Sequence, residues 1–89
     1  MTRFTVVSSD IADQSLAEAW LIAREPNAVA AASRVIDYEL RFDPGSKGQP
    51  VREGLRGIVV PPLKAIFEVR ESDRIVELAK FALLSEYKK

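Results

Sequence analysis

The sequence predicts an α+β domain: an N-terminal strand, an antiparallel α-hairpin, then a three-stranded antiparallel meander whose sheet packs on the helices. Three observations carry this. Phe4–Ser8 (FTVVS) is a short β-branched run followed by turn formers. Apolar residues between Ile11 and Leu40 recur at helical spacing on either side of Pro26. The stretch from Leu55 to Leu84 divides into three β-prone runs at Pro61-Pro62 and at Glu71-Ser72-Asp73-Arg74.

Each element has its own local reason. Ser9 and Asp10 offer helix N-caps, and Asp13 adds negative charge to the first turn. Ile11, Leu16, Ala19, Trp20 and Ala23 then fall on one face, so Trp20 is expected largely buried between hairpin and sheet. Pro26 ends this helix near Arg24, because a ring inside the helix would remove a ladder hydrogen bond. Proline is tolerated in a first turn, so a second helix starts at Pro26 or Asn27. Its inward face is Val29, Ala32, Val35 or Ile36, and Leu40, with Arg34, Asp37 and Arg41 outward. Asp43–Gly54 (DPGSKGQPVREG) holds two prolines and three glycines and reads as an irregular surface crossing to the sheet.

The meander begins at about Leu55 and its first strand stops at Pro61-Pro62, since neither residue can donate to a ladder. Proline at the second central position suits a cis type VI turn at Pro62. From Leu63 to Arg70 the alternation is strict. Leu63, Ala65, Phe67 and Val69 are assigned to the helices, and Lys64, Ile66, Glu68 and Arg70 to the opposite face. The last strand, about Arg74–Leu83, alternates less cleanly: Val76 and Leu78 stand against Ile75, Glu77, Ala79 and Phe81.

The chain of 89 residues has room for one core, so residues 1–89 form a single domain. Net charge is zero, yet residues 1–43 carry four basic and seven acidic side chains, and residues 44–89 nine and six. Lys47, Arg52, Arg56 and Lys64 against Glu53 alone make Gly45–Lys64 the most basic segment. No segment has the strongly basic character of a dedicated nucleic-acid binder. No run is long enough for a membrane span, no leader is recognisable, and there is no cysteine, all in keeping with a cytoplasmic protein.

The absence of histidine removes a His-based general base or triad, and the absence of cysteine removes thiolate metal ligands. No metal or cofactor is expected. GSKG at Gly45–Gly48 lacks the spacing and the Lys-Ser/Thr pair of a phosphate loop. Two constellations remain. One is polar: Lys64 and Glu68, with Glu77 and Arg56 as neighbours, could stabilise a phosphodiester's charge and move a proton. The commoner meaning of such a set is a cross-strand salt bridge on a solvated face. The other is apolar: Ile66, with Phe81, on the open face suggests a partner segment docking beside a sheet edge.

The run LRGIVVPPLKAIFEVRESDRIVELAKFAL, preceded by strand, α-hairpin and Gly/Pro-rich crossing, is similar to bacterial toxins of the RelE/ParE superfamily, often labelled plasmid-stabilisation proteins. PLKAIFEV, Glu71–Arg74 and RIVELAKF match that superfamily's basic strand, Asp-Arg hairpin and last strand. The resemblance implies the toxin half of a type II toxin–antitoxin pair, neutralised by an antitoxin, with a homodimer or a heterotetramer with the antitoxin as the assembly. RelE-like members cleave mRNA on the ribosome, whereas ParE-like members inhibit DNA gyrase. Lys64 falls where many ribosome-dependent members carry a catalytic arginine, but a lysine loses bidentate phosphate geometry. The last strand ends Phe81-Ala82-Leu83-Leu84, without the polar side chain of the nucleases; Tyr87 follows. The expectation is therefore a toxin that acts by binding, gyrase-type inhibition ahead. The antitoxin should contact Ile66, Lys64, Arg70 and Phe81, with Arg56 at the rim. The alternatives are an mRNA endonuclease using Lys64, Arg56 and Glu68, and a degenerate non-toxic binding module.

Overall fold

The computed structural model describes residues 3–89. Strand β1 (Thr5–Ser8) leads into helices α1 (Asp10–Ile22) and α2 (Pro26–Leu40). A 3-10 turn (Pro44–Ser46) follows, then β2 (Gln49–Arg52), β3 (Leu55–Val60), β4 (Leu63–Arg70), β5 (Ile75–Leu83) and a final 3-10 turn (Ser85–Tyr87). The five strands form one sheet in the order β1-β5-β4-β3-β2. All neighbours are antiparallel except β1, which runs parallel to β5 and pairs Thr5 with Ile75 through Ser8 with Leu78. The α+β class and the meander are as the sequence predicts; the sheet, however, is mixed and has a fifth strand.

That extra strand corrects the reading of Asp43–Gly54 as irregular. Its glycines make it possible. Gly48 has φ +65°, and a Cβ there would collide with the Gly57 carbonyl, so β2 can lie close to β3 only with glycine at this position. Gly54, at φ +81°, closes the β2–β3 hairpin. Pro50 is accommodated because β2 is an edge strand. The Pro61-Pro62 peptide is cis.

Helix α1 starts as its cap predicts: the Ala12 N–H donates to Ser9 Oγ at 3.0 Å. Ala12, Ala19 and Ala23 form its buried line and let it approach β5 closely. Beyond Ser8, where β1 runs out, α1 also covers the outer side of β5. Ser9 Oγ donates to the Ala79 carbonyl at 3.1 Å, and the Phe81 N–H donates to Ser15 Oγ at 2.9 Å. Two serines thus replace the missing strand. Helix α2 starts on Pro26 and buries Val29, Ala32, Ile36 and Leu40, which resolves the choice between Val35 and Ile36.

Two expectations for α1 fail. Trp20 is 49% exposed and Ile11 62% exposed. The buried stripe is narrow because small alanines seat the helix tightly, so residues one step round the helix from it fall at its margins. Trp20 lies in an open groove between the helices with Leu16, Leu21, Val29 and Ala30.

Candidate functional site on the open sheet face

Both helices pack on one face of the sheet, where Leu63, Ala65 and Phe67 are fully buried. The opposite face carries no other element among the described residues. The period of two along β4 puts Lys64, Ile66, Glu68 and Arg70 there, as the alternation predicts. Cross-strand pairing adds Val59 opposite Lys64, Gly57 opposite Ile66, Lys80 on the other side of Ile66, and Glu77 opposite Glu68.

The centre is a shallow apolar patch with a glycine floor. Around the position a Cβ would take on Gly57 stand Val51 Cγ2 at 2.9 Å, Ile66 Cδ1 at 3.4 Å and Lys64 Cε at 3.4 Å. Any larger residue at 57 would push these side chains apart. Val51 and Val59 are exposed, Val59 by 53%. The lysine stem belongs to the patch as much as its charge does. Among the described residues neither Lys64 nor Lys80 has a carboxylate within 4.0 Å.

Next along the strands lies a different kind of cluster. Glu68 and Glu77 face each other across β4 and β5, and like charges so placed repel. Arg70 bridges them, Nε to Glu68 at 3.0 Å and Nη2 to Glu77 at 2.6 Å. The Glu68 hydrogen bond, then the charges of Glu77 and Glu68, push the Arg70 guanidinium up from its already high value. A cation raised in this way helps the fold around neutral pH and, as pH rises, loses that help only in strong alkali. This cluster is a self-contained surface ion pair.

The candidate catalytic set does not assemble. Arg56 pairs with Phe67, which puts it on the helix side of the sheet, away from Lys64. There it donates to the Lys47 carbonyl at 2.9 Å and to that of Gly48 at 3.2 Å, fixing the turn into β2. Glu68 sits four residues along the strand from Lys64, about 13 Å away, and is occupied by Arg70. Among the described residues, no group of three Asp or Glu side chains could hold a metal ion.

Phe81 also moves. It is 3% exposed and pairs with Ala65 in the core. Ile66 pairs with Lys80 and Phe67 with Leu78, so Ala79 is an extra residue on β5. This bulge reverses the alternation: Val76 and Leu78 point inward before it, Phe81 and Leu83 after it. The open face therefore gains Lys80 and loses Phe81. Val51, Val59, Gly57 and Lys80 were the members that strand patterning did not single out. A glycine inside the β-branched run Leu55–Val60 was the available sign, since such glycines often mark close approach.

No family model matches the sequence, and neither does any curated protein. Solved structures do match. One is a chain of the crystal structure of the toxin–antitoxin complex RelBE2 from Mycobacterium tuberculosis, with a TM-score of 0.77 at 17% identity over 93% of each chain. Another is a chain of the chromosomal ParDE toxin–antitoxin system from P. aeruginosa, with a TM-score of 0.66 at 13% identity, covering 93% of this chain and 98% of that one. The chain shares the fold of these two chains. Among the described residues, no helix is long and apolar enough to cross a membrane.

Proposed function

We propose that this protein is the cytoplasmic toxin of a toxin–antitoxin pair, that it acts by binding its target, and that an antitoxin segment covers the open sheet face. The observation that carries the docking is the patch of Val51, Val59 and Ile66 over Gly57, rimmed by the unpaired Lys64 and Lys80. Two solved structures with this fold come from toxin–antitoxin systems, which supports a partner of that class. Apolar contact supplies affinity here, because burying one side chain the size of isoleucine is worth about 1.5–3 kcal/mol. The lysines call for an acidic segment and hasten its arrival.

Action by binding, of the gyrase-inhibiting kind, is favoured over mRNA cleavage. Lys64 has only another cation, Lys80, near it, with Arg56 on the other face and Glu68 tied to Arg70. General acid–base transfer contributes about 10²–10⁴-fold, which an isolated cation does not replace. The test uses the product of a small open reading frame adjacent to this gene, where one is found. Induced expression of this chain should arrest growth, and co-expression of the neighbour should restore it. Ile66→Asp should remain folded by circular dichroism yet dissociate from the neighbour's product at least ten-fold faster. Wild-type dissociation by a folded Ile66→Asp variant would place the partner elsewhere.

A further inference from the structure

A second surface lies on α2, away from the open sheet face. Arg34, Tyr38 and Arg41 follow one another at i, i+4 and i+7, which brings them onto one stripe of the helix. Tyr38 is 61% exposed. Its ring is held by an edge-on contact with Phe42, the centroids 5.3 Å apart and the planes at 61°. Arg3 in turn lies over the Phe42 ring at 5.7 Å. An exposed aromatic so braced has less rotamer freedom left to lose on binding.

The charges flank that ring. Arg34 is exposed and has no carboxylate within 4.0 Å among the described residues. Arg41, three residues further along the helix, is held by Asp37 at 2.7 Å, and both line the same concavity as Tyr38. Ser33, Arg34, Asp37, Tyr38 and Arg41 together line a shallow concavity. Every one of these residues carries a polar group, unlike the valines of the patch on the sheet.

We propose that Arg34, Tyr38 and Arg41 form a contact strip for single-stranded nucleic acid, a base stacking on Tyr38 and phosphates meeting the two arginines. Stacking on an aromatic with cations at its sides is how single strands are held without sequence preference. An acidic peptide fits less well, because no aliphatic residue lines the concavity and a carboxylate side chain offers no flat ring to stack on Tyr38. The strip is small, so binding should be weak, with a log–log salt slope of only about −1.4 for two phosphate contacts.

The test is fluorescence anisotropy of a labelled oligouridylate of about ten nucleotides, titrated at low salt with the full chain. Tyr38→Ala should weaken binding about ten-fold, and Tyr38→Trp should retain it. Arg34→Glu should weaken it as well and flatten the log–log salt slope by about 0.7. Arg52→Glu, the same charge change on the β2–β3 hairpin, should leave affinity unchanged. No saturable binding at low salt overturns the proposal, as does wild-type affinity in Tyr38→Ala. Equal weakening by Arg52→Glu would mean diffuse charge rather than a strip. Displacement of the strand by oligoglutamate in wild type but not in Tyr38→Ala would make the surface a peptide site instead. All four substitutions lie on exposed positions, and thermal melts check that each variant folds.

Discussion

Leu63, Ala65 and Phe67 have no exposed surface, whereas Lys64, Ile66 and Glu68, their immediate neighbours on β4, remain partly open. One strand therefore serves two purposes through its period of two. The inner set answers to packing against α1 and α2. The outer set is free of that demand and can carry an apolar patch, unpaired cations and a self-contained ion pair. Nothing in the core requires an isoleucine at 66 or glycine beneath it. Their place on the uncovered side is what points to a partner, since a solvated antiparallel face ordinarily shows polar residues.

The sharpest way to test this division is to truncate one residue on each side. Phe67→Ala should cost about 3–5 kcal/mol, the range for emptying a fully buried aromatic site. Urea melts would show it as a large drop in midpoint. Ile66→Ala should shift the midpoint far less while weakening the partner complex. Comparable losses of stability would break the distinction between the faces.

A smaller effect should follow from the way α1 completes the sheet. Ser15→Ala removes the acceptor of the Phe81 N–H beside the Ala79 bulge. Leaving a partly buried donor unpaired costs about 1–3 kcal/mol. Amide hydrogen exchange at Phe81 should quicken more than at Ile66. If it does not, the serine is incidental to the strand edge.

Smaller again is Trp20→Ala. Half-exposed in the inter-helix groove, Trp20 should contribute about 1 kcal/mol, the ordinary range for a point substitution, rather than a core aromatic's share. The folded protein should show a fluorescence maximum shifted toward that of a water-exposed indole. A strongly blue maximum would return Trp20 to the core and widen the buried stripe of α1.

How much of this can be read from residues alone follows from where the periodicity is unbroken. β4 alternates without interruption, and both of its faces are assigned correctly from Leu63 to Arg70. α2 is legible for the same reason, down to Arg34, Asp37 and Arg41 on its outer side. β5 is not, because the extra Ala79 reverses the alternation and no residue type announces a bulge there. β2 is hidden by Pro50 and three nearby glycines, which read as loop until Gly48 is seen to admit a backbone contact. Arg56 was misplaced because its face depends on pairing register with Phe67, which the sequence of β3 does not encode locally. Trp20 shows the limit of a helical wheel: the stripe's width depends on how closely the alanines seat the helix.

The finest distinction is between the two components of the open face. Lys64→Ala removes a charge at the rim of the patch but leaves Val51, Val59 and Ile66 in place. Rim charges act mainly on encounter, so the association rate with an acidic partner should fall by a few-fold while dissociation barely changes. The same variant should flatten the dependence of that rate on salt, because exposed charges are screened within about 10 Å at 0.1 M ionic strength. Stopped-flow mixing across a salt series measures both. The nuclease alternative makes the opposite demand on this residue: codon-specific cleavage on programmed ribosomes, abolished by Lys64→Ala. We expect no cleavage from the wild type, because among the described residues no carboxylate lies within 4.0 Å of Lys64. Cleavage that depends on Lys64 would overturn the binding mechanism and leave the fold, the two sheet faces and the partner patch as they stand.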